Sequence, residues 1–242
     1  MGKVKPDILH QDEHIVMVNK TPGLLSIPDR HDPTLPSLLG LLNQQFGKVY
    51  TVHRLDRETS GLLVFALQEE AHRELSRQFQ QRTVEKRYLA LLDGVVYHDT
   101  GTLDRPLAEH PTKPGRMIVA KKGKAAVSHY KVIERFKQFT LVEFHIETGR
   151  MHQIRVHAEA LGHPLAIDEM YGRREAFFLS EVKQRGFQLG KDEEERPLMQ
   201  RLTLHALRLT IDHPATGERT TFEAPLPKDF RAVLQQLRKW GH

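Results

Sequence analysis

The chain has 242 residues, 39% of them apolar, enough for one sizeable core or two smaller lobes and too apolar for a disordered chain. It has no cysteine, which excludes disulfides, thiolate zinc sites and cysteine nucleophiles. The formal net charge of +5 favours a polyanionic partner, and no stretch approaches the roughly 20 apolar residues of a membrane span.

The first residues, Met1-Gly2-Lys3-Val4-Lys5-Pro6-Asp7, lack the apolar core of a signal peptide, so a cytoplasmic protein is expected. Asp7 to His10 and Ile15 to Asn19 read as short strands, and Lys20-Thr21-Pro22-Gly23 as a turn. Leu38, Leu41, Leu42 and Phe46 share one face of a predicted helix over Ser37 to Phe46, stopped by Gly47. Val49 to Val52 and Leu62 to Leu67 are strand-like. An amphipathic helix is predicted over Glu69 to Gln81, with Ala71, Leu75 and Phe79 inward, and a strand over Lys86 to Leu92. Ala125 to Glu134 and Phe139 to Ile146 read as paired strands, followed by a helix through His152 to Leu161. Arg173 to Arg201 is a charged insertion, expected as a solvated excursion with a helical patch at Ala176 to Val182 and a turn at Lys191 to Arg196. Thr203 to Ile211 and Thr220 to Glu223 close the pattern as strands, and Asp229 to Trp240 as a helix. The order of elements argues α+β with a largely antiparallel sheet.

Between the predicted strands at Val49 and Leu62 lies His53-Arg54-Leu55-Asp56-Arg57-Glu58-Thr59-Ser60-Gly61, which sets the carboxylate of Asp56 between Arg54 and Arg57. Flanking guanidinium groups favour the ionised acid, and a carboxylate aimed by a rigid strand can act as a nucleophile. Taken alone, an Asp among arginines is usually a surface ion pair. Tyr88, in Glu85-Lys86-Arg87-Tyr88-Leu89, is either a strand-face tyrosine or a ring for stacking on a base with a hydroxyl for proton transfer. In Thr148-Gly149-Arg150-Met151-His152-Gln153-Ile154-Arg155-Val156-His157, a helix starting near Met151 would place His152 and Arg155 on one face, suited to phosphate or carboxylate recognition. The basic run Lys113, Arg116, Lys121, Lys122 and Lys124 contains no acid and is either a solvated loop or a phosphate-tracking arm. The spacing of His152 and His157 does not match a helical zinc motif, and no nucleotide-binding glycine motif is present; neither metal nor cofactor is expected.

These clusters together resemble the RluA-type pseudouridine synthases. The resemblance is carried by His53-Arg54-Leu55-Asp56-x-x-Thr59-Ser60-Gly61-Leu62, by Lys86-Arg87-Tyr88-Leu89-Ala90, and by Thr148-Gly149-Arg150-x-His152-Gln153-Ile154-Arg155-Val156-His157. Gly162-His163-Pro164-Leu165, Asp168-x-x-Tyr171-Gly172, Leu204-His205-Ala206 and Phe222-x-Ala224-Pro225-Leu226 extend it. It implies one catalytic domain with a central mixed, mostly antiparallel sheet in two halves, flanking helices and a central cleft. It implies isomerisation of a uridine in transfer RNA or large-subunit ribosomal RNA to pseudouridine, without cofactor or metal. Asp56 would be the nucleophile, Tyr88 would stack on the uracil, Arg155 would pair with Asp56, and Arg54 would fill the gap left by the flipped nucleotide. His53, Arg57, Thr59, Arg150, His152, Gln153 and His157 would line the RNA-binding surface, with the basic run beside them. The family-like sequence begins near the N-terminus, so RNA contacts are expected from the catalytic domain of a monomer. The rivals are a non-catalytic RNA-binding protein on the same fold and a hydrolase using Asp56 with His152 or His157.

Overall fold

The computed structural model describes residues 5–183, 187 and 194–241. In chain order the elements are β1 (Asp7–Gln11), β2 (Ile15–Lys20), α1 (Leu38–Phe46), β3 (Tyr50–Thr51), β4 (Ser60–Ala66), α2 (Glu69–Gln81) and β5 (Glu85–Asp93). There follow β6 (Thr100–Asp104), β7 (Leu107–Glu109), β8 (Met117–Val119), β9 (Val127–Arg135), β10 (Phe139–Ile146) and α3 (Gln153–Ala160). The last are β11 (Leu204–Asp212), β12 (Arg219–Glu223) and α4 (Lys228–Trp240). The chain forms two compact units, Met1–Tyr88 with His205–Pro225 and Leu89–Leu204 with Leu226–His242; β5 carries it from the first into the second.

In the first unit β4 is buried along its whole length. Its run Leu62-Leu63-Val64-Phe65 is apolar at successive positions, as a strand covered on both faces requires. β2 pairs with it antiparallel, from Ile15↔Ala66 to Lys20↔Gly61, and β11 pairs parallel at His205↔Ser60 and Ala206↔Gly61. Gly61 makes that parallel approach possible: its φ is +111°, and a Cβ there would lie 2.2 Å from the Ala206 carbonyl oxygen. α1 starts at Ser37, whose hydroxyl accepts the Gly40 N–H, and stops at Gly47 with φ 80°. α2 turns Ala71 and Leu75 into a core with Ile15, Met17, Val64, Leu209 and Ile211. Its buried Gln78 amide donates to the Asp212 carbonyl and accepts the Asp212 N–H, so no polar group is left unpaired there.

In the second unit β9 pairs antiparallel with β10 on one side and β6 on the other, while β7 and β8 form a separate hairpin. α4 buries Phe230, Val233, Leu234 and Leu237, at helical spacing. Both units are α with mixed or antiparallel β, as expected, and most predicted elements stand within two residues of their bounds.

Three local expectations are corrected. No element is predicted between Asp93 and Ala125, yet β6, β7 and β8 lie there; short strands interrupted by Pro106, Pro111 and Pro114 carry too little periodicity to be read. The helical patch at Ala176 to Val182 is only a 3-10 turn over Leu179–Glu181. The segment around it is not a solvated excursion: Phe177 is fully buried against Phe139, pairs with Met199, and follows Arg174, which salt-bridges Asp93. Lys191, Asp192 and Glu193 of the expected turn lie outside the described residues. Among the described residues no helix is long and apolar enough to cross a membrane.

Candidate active site

Asp56 sits half-buried on the connection between β3 and β4, and its carbonyl accepts the Thr59 N–H at 3.1 Å to close a turn. The backbone on both sides of it is clamped. On the Leu55 side, the Ser26 hydroxyl donates to the Leu55 carbonyl at 2.8 Å and accepts the Leu55 N–H at 3.1 Å. On the Arg57 side, the Lys20 ammonium donates to the carbonyls of Arg57 (2.7 Å), Leu24 (2.8 Å) and Thr21 (3.0 Å). Lys20 is 1% exposed, and a buried cation is tolerable because each N–H has a carbonyl. Gly23 and Arg57 add a reciprocal pair, Gly23 N–H to the Arg57 carbonyl and Arg57 Nε–H to the Gly23 carbonyl. The side chains of Arg54 and Arg57 are exposed, and that of Thr59 is buried.

Tyr88 is buried in β5. Burial first, and then the negative charge of Asp56, raise its phenol pKa, so the hydroxyl stays protonated throughout the neutral range. That coupling brings the predicted acid and the predicted aromatic into one neighbourhood. His53 stacks on Phe79 at 4.6 Å between centroids, and its Nε2 accepts the Val64 N–H of β4 at 3.3 Å. Burial, with the charge of Lys86 second, lowers the His53 pKa to about 3, so it is a neutral ring fixed to β4. Lys86, over the Phe79 ring, is itself lowered to about 8 by burial and by Arg82.

In the second unit the third sequence cluster divides. Arg155, on α3, pairs bidentately with Asp168, Nε to Oδ2 and Nη2 to Oδ1, both at 2.7 Å. His152 is not on that helix: it adopts φ 56° before Gln153, and its Nδ1 lies 2.9 Å from the Tyr171 hydroxyl. The expected shared helical face of His152 and Arg155 is therefore replaced by convergence on Tyr171. Gln153 and His157 are buried and hydrogen-bonded inside the unit. Gln153 accepts from Thr148 and the Arg150 amide and donates to the Val127 carbonyl and Ser128; His157 reaches Ser128 and the Arg105 carbonyl. Arg150 donates from Nε to the Ala125 carbonyl. Among the basic residues, Lys113 stands exposed at the tip of the β7–β8 hairpin, and Lys121, Lys122 and Lys124 are exposed just after it. Arg116 turns inward to Glu159 and the Met170 carbonyl.

Lys20 and Ser26 are structural supports that the sequence reading did not select, and Asp168 and Tyr171 entered it only as motif residues with no role assigned. Lys20 ends an apolar strand before Thr-Pro-Gly, but lysine is so seldom buried that position alone cannot reveal it. Among the described residues no group of three or more His, Asp or Glu is arranged to hold a metal ion.

Residues 14–160 match the family model described as RNA pseudouridylate synthase. The chain belongs to that family. RNA pseudouridine synthases are isomerases. This member is 40% identical to the ribosomal large subunit pseudouridine synthase D of Nitrosomonas europaea, over 97% of this chain and 66% of that protein. It is 41% identical to the protein of that name in Pseudomonas aeruginosa, over 98% of this chain and 73% of the other. It is also 40% identical to the dual-specificity RNA pseudouridine synthase RluA of Escherichia coli, over 90% of this chain and 92% of that protein. Among solved structures, human RNA pseudouridylate synthase domain containing 4 superposes with a TM-score of 0.73 at 29% identity, covering 96% of this chain and 93% of the other. The pseudouridine synthase fold expected from the sequence motifs is thus the fold of this chain.

Proposed function

We propose that this synthase converts a uridine within RNA to pseudouridine, with Asp56 as nucleophile. The observation that carries the proposal is the placement of Asp56: half-buried, on a backbone clamped by Lys20 and Ser26, with its charge felt by the buried Tyr88 phenol. A backbone clamped on both sides fixes where the carboxylate can act.

In the reaction the N1–C1′ bond of the uridine breaks, the uracil turns, and a C5–C1′ bond forms. The C5 proton leaves to water and N1 takes up a proton, so the product is an isomer of the substrate. Asp56 initiates base detachment. Tyr88 presents an aromatic face to the uracil, and its protonated hydroxyl is available for proton transfer near C5. Arg155, held bidentately by Asp168, is the basic group proposed to serve the reaction from the second unit. The base must first be flipped from its stack, at a cost of a few kcal/mol, and Arg54 fills the gap. Arg57 is proposed to meet the RNA at the surface, with His53, Arg150 and His152 as partly exposed contacts, whereas the buried Thr59, Gln153 and His157 act only as internal supports. Lys113, Lys121, Lys122 and Lys124 follow the phosphates, and Arg116 orients their hairpin.

Large-subunit ribosomal RNA is the first substrate proposed, because the relatives from N. europaea and P. aeruginosa are named for it. Transfer RNA is the second pool. The enzyme acts as one catalytic domain, a monomer in the cytoplasm, with RNA supplying the partner surface. Tritium release tests the activity. RNA labelled at carbon-5 of uridine loses its label to water on incubation with the protein, and separate ribosomal and transfer RNA pools identify the substrate. Tight RNA binding without release from either pool would contradict the proposal.

A further inference from the structure

Tyr171 has no part in the reaction above, yet it joins two groups that do. It is 4% exposed within the second unit, in a core with Leu107, Met117 and Val156. Two guanidinium groups lie against its ring, Arg116 at 4.8 Å and Arg155 at 4.9 Å from the centroid. Its hydroxyl accepts the Met117 N–H of β8 at 2.7 Å, and the remaining phenolic hydrogen is free to donate to His152 Nδ1 at 2.9 Å. Its own backbone N–H donates at 3.0 Å to Asp168 Oδ1, the oxygen that also receives Arg155 Nη2. Arg116 and Met117 are neighbours at the start of β8, in the hairpin that carries Lys113. Arg116 is anchored further by Glu159 at 2.8 Å.

We propose that Tyr171 is a positioning residue that couples the β7–β8 hairpin to the Arg155 guanidinium, so that RNA phosphates seated on the hairpin lysines set the orientation of Arg155. The proposal rests on the activity proposed above. A displacement of the hairpin moves the Met117 amide and the Arg116 head together. Tyr171 is packed too tightly to absorb that shift, and its ring passes it to Arg155. Both halves of the side chain are needed. Phenylalanine would keep the ring contacts but leave the Met117 amide without its acceptor and His152 Nδ1 without its donor.

The test is single-turnover tritium release at saturating RNA, with RNA affinity by filter binding and thermal melting alongside, on wild type, Tyr171→Phe, Arg116→Ala and the double variant. Tyr171→Phe is expected to slow release about tenfold, the loss of one such hydrogen bond expressed as a rate, with RNA affinity changed less than twofold. Added RNA does not restore the rate. The double variant is no slower than the slower single, because both substitutions cut one path. An unchanged rate in Tyr171→Phe, a loss that excess RNA restores, or losses that multiply in the double variant would overturn the coupling. If Tyr171→Phe does not fold, Arg116→Ala decides: a severalfold slower saturating rate supports the coupling and an unchanged one overturns it. Release by wild type with unchanged variants defeats the coupling alone; no release by wild type defeats the proposed activity, and the coupling with it.

Discussion

Lys20 shows how a single buried charge can organise the loop that carries the proposed nucleophile. Its ammonium takes three carbonyl oxygens, one of them on Arg57 beside the candidate nucleophile. Lys20→Met fills the space but strands those carbonyls, and is expected to cost roughly 1–3 kcal/mol of stability by denaturant unfolding. The activity loss should exceed the stability loss, on the order of a hundredfold, because an ångström of displacement at a catalytic group costs about that much. An equal tritium-release rate in Lys20→Met would separate the clamp from the chemistry. His53 makes a prediction in pH. Burial holds its folded pKa at about 3, against about 6.5 unfolded, so its contribution to stability is complete above pH 6.5. As the pH falls below 6.5, the unfolded chain binds a proton that the folded chain refuses, and stability falls by at most about 1.4 kcal/mol per pH unit. His157, lowered by burial in the second unit, acts in the same direction. His53→Gln keeps an acceptor for the Val64 N–H and cannot titrate, so between pH 7 and pH 5 it should lose up to about 2 kcal/mol less than wild type. Parallel unfolding midpoints would show that His53 is not held neutral.

At the scale of elements, strong periodicity was legible and side-chain purpose was not. α2 was predicted at its observed bounds because Ala71 and Leu75 recur on one face, and β10 because its run is β-branched and aromatic. His152 escaped, since nothing in Gly149-Arg150-Met151-His152 announces a left-handed residue ahead of α3. Gln153 and His157 read as polar surface groups because the sequence cannot show that Ser128, Val127 and Arg105 will bury and satisfy them. The basic run was visible, but its division was not: its lysines face solvent while Arg116 faces Tyr171 and Glu159. That division makes a test. Lys121→Ala with Lys122→Ala should weaken RNA binding and reduce the slope of log affinity against log salt by roughly 1.5, two phosphate contacts' worth. An unchanged slope would place both lysines off the RNA.

For the whole molecule, net charge and motif order alone point towards RNA, and family membership agrees with that direction. The pairing of strands distant in sequence was not legible. β4 meets β11 across more than a hundred residues, and only Gly61, seen after the fact, marks the contact. Asp56 and Tyr88 lie in the first compact unit, and Arg155 and the basic hairpin in the second. The central claim is that Asp56 is the nucleophile, and Asp56→Asn tests it most directly because it keeps the size of the side chain while removing its charge. Tritium release from carbon-5-labelled RNA should fall at least a thousandfold, with RNA affinity and melting temperature close to wild type. Release at the wild-type rate by Asp56→Asn would contradict the account.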